Sequence, residues 1–261
     1  MNTDFFSLKG KVALVTGGSR SIGKWIAEGL IAYGAKVYVS SRDPEACAAA
    51  AEELGPNCFA LPQDISTVAG CKALAEAFGK LEPRLDILVN NAGASWGATF
   101  EEFPEKGWDK VLDLNLKSPF FLTQALTPAL KAAAAVSRPS KVINITSVDS
   151  FRLNDWDSYS YQASKAGLMQ LTRRMAAHLV KDGVHVSAIA PGAFPSKMNE
   201  AARTRGDEVA RAIPAGRVGI PEDVAAAAVF LAGRGGDYVV GATVVTDGGL
   251  VYAELGASID G

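Results

Sequence analysis

The chain has 261 residues, 48% of them hydrophobic, enough for one α/β domain with a large core. Its net charge of −2 implies no nucleic-acid or anionic-membrane partner, and its longest apolar runs are too short to span a bilayer. Cys47, Cys58 and Cys71, with His178 and His185, make no metal-ligand spacing; an odd cysteine count and a polar Met1–Gly10 without an apolar signal core point to reduced thiols in the cytoplasm.

Lys11–Thr16 reads as a short buried strand, mostly apolar and β-branched. It runs into Gly17, Gly18, Ser19, Arg20, Ser21, Ile22 and Gly23, and then into Lys24–Leu30, which has helical periodicity. A strand, a glycine-rich turn and a helix form the phosphate-cradling start of a dinucleotide-binding βαβ unit: glycines let the backbone approach a pyrophosphate, and the helix N-terminus faces its charge. Ala35–Ser40 is the second strand. An acid at its end would bind an adenosine ribose, whereas arginine accommodates a 2′-phosphate. Here Ser41 and Arg42 stand at that end, while Asp43, followed by Pro44 and an alanine-rich run, fits a helix N-cap. Arg42 and Arg20 are thus read as phosphate ligands and the cofactor as NADP(H), against the alternative of ordinary surface charge.

Further along, Leu85–Val89, Lys141–Thr146 and Val184–Ala190 read as strands, Trp108–Ala134 and Tyr159–Lys181 as helices, with no repeat and no low-complexity linker. This alternation predicts one parallel sheet with helices on both faces. Phe194–Ile213 breaks the rhythm and reads as a mobile substrate lid or a surface helix pair. Tyr161 and Lys165 are four residues apart and share a helix face. A phenol of pKa about 10 is a poor catalyst at pH 7, and a nearby cation would lower that pKa. Such a pair can exchange a proton with a carbinol oxygen. Tyr159 is a rival phenol but lacks the lysine.

Together these motifs resemble the short-chain dehydrogenase/reductase family over about residues 8–251, and within it the 3-oxoacyl reductases of the rhamnolipid-associated branch. The resemblance implies a single-domain Rossmann fold spanning the chain, doubly wound, with Asn115, Ser147, Tyr161 and Lys165 as catalytic residues. Tyr161 would donate a proton, Ser147 hold the carbonyl oxygen, Lys165 hold the nicotinamide ribose, and Asn115 a water. Asp64 and Ile65 would lie by the adenine, and Asn91, Ala92, Gly93, Pro191, Gly192, Phe194 and Ser196 by the rest of the cofactor. For Asp64 a turn role, for Ser147 a strand-end cap and for Asn115 a helix-kink role stay open. Trp96, Phe151, Trp156 and Phe194 are either a substrate wall or core.

The implied reaction is reduction of a 3-oxoacyl thioester or related ketone. The rivals are a dehydrogenase of small alcohols, polyols or steroids, and a non-catalytic NADP(H)-binding regulator. A homotetramer is implied, and an acyl-carrier partner would need a basic rim, for which Lys131, Arg138, Lys141 and Lys181 are candidates. Two departures from the family pattern stand out. Ser21 replaces the middle glycine of the turn, and the Ser147–Tyr161 spacing is one residue longer than usual.

Overall fold

The computed structural model describes residues 4–135 and 137–253; Met1–Thr3 of the polar leading segment, Val136 and residues 254–261 lie outside the described residues. Seven strands, β1 (Val12–Thr16), β2 (Lys36–Ser40), β3 (Cys58–Ala60), β4 (Ile87–Asn90), β5 (Ser140–Ile145), β6 (Val184–Pro191) and β7 (Thr243–Thr246), form one sheet in the order β3-β2-β1-β4-β5-β6-β7. Every neighbouring pair is parallel. The chain winds outward from β1 to β3, then returns to place β4 on the other side of β1. That reversal opens a crevice at the carboxyl ends of β1 and β4, where ligands bind in such sheets.

The alternation of side chains along each strand builds two cores. Ala13 and Val15 of β1 face one side, Val12 and Leu14 the other. The first side is covered by α1 (Ser21–Ala32), α2 (Pro44–Leu54) and a late helix, Pro221–Ala232, through Ile26, Leu30, Cys47, Val224 and Ala228. The second is covered by α3 (Val68–Gly79), α5 (Ser118–Ala133) and α6 (Tyr159–Leu179), through Leu74, Phe78, Leu122, Leu126 and Met175. The sheet is therefore buried on both faces, as continuous apolar strands require. Asp43 caps α2 as its sequence foretells, accepting from the Ala46 amide at 3.1 Å ahead of Pro44.

The long helix expected over Trp108–Ala134 is interrupted. It runs as α4 (Glu105–Leu112), one π turn (Asp113–Lys117) and then α5. Segment 194–213 carries two short helices, α7 (Glu200–Thr204) and α8 (Gly206–Ala210), between buried anchors Phe194 and Ile213; the late helix is α9. Among the described residues, no helix is long and apolar enough to cross a membrane.

The expected basic rim does not form. Arg138 and Lys141 sit at the start of β5, the end of the sheet opposite Ser147, and pair with Asp86 and Asp237 at 2.8 Å each. Lys131 closes α5 at that same end and pairs with Asp182 at 2.8 Å. Lys181 stands just before β6, at that end as well; in a parallel sheet a residue before a strand and one after it lie on opposite edges, and this separates all four cations from the crevice.

Candidate active site

β1 delivers the chain to Gly17, whose φ of +63° suits glycine. A Cβ there would meet the Asn91 amide nitrogen at 2.8 Å and the Ala92 backbone at 3.0 Å. Asn91 Nδ2 donates to the Thr16 carbonyl at 2.9 Å and the Gly17 carbonyl at 3.2 Å, while Thr16 Oγ1 accepts from the Asn91 and Ala92 amides. The side chain of Asn91 therefore braces the glycine turn, a contact sequence reading did not foresee. Gly23 is packed against the same amide and the Gly17 carbonyl, leaving no room for a side chain.

Ser21 has φ +46° and is the one non-glycine among the described residues in the left-handed region. The turn thus keeps the backbone path a glycine would take, at a cost of about 1 kcal/mol. α1 begins there with no side-chain cap and no acid in its first turn. Its leading amides face outward as a ready anion site. Arg20 and Arg42 are exposed, and neither has an ion-pair or hydrogen-bond partner among the described residues. The Ser41 hydroxyl donates to the Asp43 carbonyl at 2.9 Å. Uncapped amides and two unpaired guanidiniums at one sheet edge fit the phosphates of NADP(H). Asp64 Oδ1 accepts from the Ser66 amide at 2.9 Å, a turn contact, and the Ile65 side chain is core.

At the far side of the crevice, Ser147 follows β5 and opens a single 3-10 turn, accepting from the Asp149 amide at 3.1 Å. Tyr161 and Lys165 lie one turn apart on α6, with the Tyr161 hydroxyl beside Ser147. Lys165 Nζ donates to the Ile145 carbonyl at 2.8 Å and lies 5.6 Å from the centre of the Tyr161 ring. Asn115 sits in the π turn. It accepts from the Ala94 amide at 2.8 Å and donates to the Ala94 carbonyl at 2.9 Å and to Ser164 Oγ at 3.0 Å. Ser164 donates to the Tyr161 carbonyl at 2.7 Å, so Asn115 ties the loop after β4 to the helix carrying Tyr161. The π turn is where α4–α5 opens to present that amide inward. Gly93 faces two of the four: a Cβ on it would stand 3.3 Å from Asn115 Oδ1 and 3.8 Å from Lys165 Nζ.

The electrostatics correct one expectation. Tyr161 is not lowered by Lys165: burial and then the Asp149 carboxylate push it up to about 12, against a smaller lowering by the Ser147 hydrogen bond. The lysine points its ammonium at a backbone carbonyl instead of the phenolic oxygen. Burial pushes Lys165 itself down to about 8, partly offset by Asp149. Asp149 is the residue sequence reading missed. Its carboxylate accepts from Asn154 Nδ2 at 2.8 Å, its amide donates to Ser147 Oγ, and burial raises its pKa. The only sequence signal was an acid two residues past a candidate serine.

The remaining candidates divide. Trp156 stands over Tyr161 with ring centres 6.1 Å apart, and Phe151 meets Tyr252 at 6.1 Å. Trp96 packs on Gly107 and under Lys110. Phe194 does not join them: it is core, 6.3 Å from Trp25 and pressed on Gly219. Gly192 lies against Asp247, its amide donating to the Thr246 carbonyl at 3.0 Å after Pro191 ends β6. Ser196 Oγ accepts from the Asn199 amide at 3.0 Å. Tyr159 is not a rival acid, since its hydroxyl donates to Asp157 at 3.0 Å on an exposed aromatic cluster with Phe100 and Phe103.

A doubly wound sheet with an anion-binding turn on one side and a Ser–Tyr–Lys group on the other defines a nicotinamide-dependent oxidoreductase. The family profile described as enoyl-(acyl carrier protein) reductase matches residues 17–251. The chain is 47% identical over 252 residues to the rhamnolipids biosynthesis 3-oxoacyl-[acyl-carrier-protein] reductase of Pseudomonas aeruginosa, covering 94% of this chain and 98% of that one. It is 39% identical over 248 residues to 2-dehydro-3-deoxy-D-gluconate 5-dehydrogenase of Escherichia coli, covering 94% and 96%. A solved Pseudomonas aeruginosa RhlG/NADP active-site complex superposes with a TM-score of 0.91 at 46% identity, covering 95% and 98%. The chain belongs to the short-chain dehydrogenase/reductase family. It is an oxidoreductase, and three of the solved structures it resembles were solved with NADP bound.

Proposed function

We propose that the protein reduces a neutral ketone, a 3-oxoacyl thioester, to the 3-hydroxy compound at the expense of NADPH. The observation carrying this reading is the grouping of the buried Tyr161 phenol and Ser147 with Lys165, whose Nζ lies 2.8 Å from the Ile145 carbonyl at the end of β5. A protonated phenol can give its proton to a forming alkoxide, and by microscopic reversibility the same group serves the reverse reaction, so NADPH supply sets the direction. Bound NADPH supplies the hydride. Ser147 donates to the carbonyl oxygen and positions it beside Tyr161, stabilising charge as it develops. Lys165, its ammonium on the Ile145 carbonyl and its pKa lowered to about 8 by burial, is a proton source near Tyr161 that would reach it through the bound cofactor or a water. Asn115 holds the loop at Ala94 and the helix at Ser164 in register, so that Tyr161 and Lys165 keep their spacing.

The site's outer wall supports an acyl chain. Trp156, its ring centre 6.1 Å from that of Tyr161, is 42% exposed, and Tyr252, 76% exposed, meets Phe151. Carrier recognition falls to the segment 194–213, which we read as the substrate lid, where Arg203 and Arg205 sit in local pairs with Glu200 and Glu208. The second reading is a sugar-acid or polyol dehydrogenase, as the names of relatives such as the Escherichia coli protein indicate. NADPH oxidation is to be followed with 3-oxoacyl thioesters, β-keto esters, ketoses and keto-sugar acids. Turnover of the thioesters above all others is expected. Turnover of the sugar acids alone would refute the proposal.

A further inference from the structure

The Tyr161 ring has two neighbours that differ in exposure. Lys165 Nζ lies 5.6 Å from its centre and belongs to a residue 5% exposed; the Trp156 indole lies 6.1 Å from it, tilted by 44°, on a residue 42% exposed. The lysine is thus on the inner side of the phenol and the indole on the solvent side, from which a substrate must come. A ketone within hydrogen-bond reach of the phenolic oxygen brings its adjoining carbons close to both rings. Trp156 is also fixed. Its amide donates to Asn154 Oδ1 at 2.9 Å, and its carbonyl accepts from the Ser158 amide at 2.7 Å. Asn154 is held in turn by Asp149 at 2.8 Å, and Asp157 accepts from the Ala98 amide at 3.1 Å, which ties this segment to the loop after β4. The pyrrole side of the indole rests on Gly97 of that loop: a Cβ there would stand 2.7 Å from Nε1 and 3.3 Å from Cε2. Gly97 makes room for the ring, and a ring held at its backbone and seated on its edge yields only at a cost.

We propose that Trp156 is a specificity residue: its indole bounds the space beside the reacting carbonyl, passing unbranched chains and turning away ketones branched at the carbon next to it. An unbranched chain lies along an aromatic ring at van der Waals distance, whereas a branch beside the carbonyl pushes into the ring. The wall carries no charge, so it selects by shape, and Gly97 and Asn154 hold that shape.

This inference rests on the proposed ketone reduction, and the test separates the two. With NADPH, kcat/KM is measured for two isomers, ethyl 3-oxohexanoate and ethyl 4-methyl-3-oxopentanoate, in wild type, Trp156→Phe and Trp156→Ala. The isomers share their atoms and differ in branching at the carbon next to the ketone. Wild type is expected to favour the unbranched ester. Trp156→Ala should raise the branched-to-unbranched ratio about tenfold or more, the low end of what one misplaced methylene is worth in an apolar pocket, and Trp156→Phe should fall between. A ring that only packs its loop would lower both constants alike and leave the ratio where it was. If sugar acids alone are turned over, the thioester reading falls, and the same ratio is read from the dissociation constants of the two esters on the NADPH complex, followed by nicotinamide fluorescence. Should Trp156→Ala not fold, Trp156→Phe carries the comparison, and a raised ratio is still required of it. An unchanged ratio in the folded variants, or a wild type that does not distinguish the isomers, overturns the proposal.

Discussion

Tyr161 and Lys165 titrate on opposite sides of their usual values, and this separates their signatures. Tyr161→Phe should lower turnover by about 10²–10⁴-fold, the usual share of acid-base catalysis, with NADPH affinity little changed. Wild-type turnover in the folded variant would remove the assignment. The pH profile has a definite sign. Tyr161, raised to about 12, stays protonated throughout the working range, whereas Lys165 loses its proton as pH rises through about 8. Reduction should therefore be level below that point and decline above it, and Lys165→Arg, with a permanent charge, should abolish the declining limb even if overall activity is lower. Cofactor choice is also a residue-scale matter. Arg42 is exposed and unpartnered among the described residues, and a charge-assisted bond to a 2′-phosphate is worth about 1.5–3 kcal/mol. Arg42→Ala should cut the NADPH-over-NADH ratio of kcat/KM tenfold or more; an equal ratio in both proteins would make Arg42 a surface charge.

At the scale of elements, the turn into α1 and the π turn before α5 hold the two halves of the site. Ser21 carries a left-handed backbone that glycine adopts freely. Ser21→Gly relieves that strain but adds entropy to the unfolded chain, so urea midpoints should differ by less than about 1 kcal/mol. Ser21→Val places a β-branched side chain in the same region and should cost more than about 1 kcal/mol and weaken NADPH binding. The π turn is held by Asn115. Asn115→Ala leaves the Ala94 amide and carbonyl and the Ser164 hydroxyl without their partner. A loss of about 1–3 kcal/mol in stability is expected alongside the loss of activity. Loss of activity with no change in denaturant midpoint would give Asn115 a chemical role only.

Across the whole molecule, the sheet buries both faces, yet the second helical layer keeps apolar groups outside. Trp108 on α4 is 42% exposed and Phe120 on α5 is 37% exposed. We propose that these helices pair across a two-fold axis, because closed symmetric assemblies are the usual way to cover such a face. Light scattering should give a mass of four times 27.3 kDa, or at least twice it. A single-chain mass at micromolar concentration would contradict this.

Much was legible before folding because it is local. The periodic change from strand to helix foretold the doubly wound sheet, and Asp43 with Pro44 foretold the α2 cap, since both depend on neighbours a few residues apart. The four-residue spacing on one helix face pointed to Tyr161 and Lys165, and the family resemblance to Ser147 and Asn115. What needed the tertiary structure is whatever depends on groups far apart in sequence. The Asn91 brace crosses from the loop after β4 to the turn after β1, and Asn115 reaches Ala94 and Ser164 from the middle of a helix. Lys131, Arg138 and Lys141 are positive in any sequence listing, but parallel strand direction put them at the wrong end of the sheet. Phe194 went to the core because Gly219 left it a place there. The sign of the Tyr161 shift was decided by burial and by Asp149, terms that exist only once the chain has closed around them.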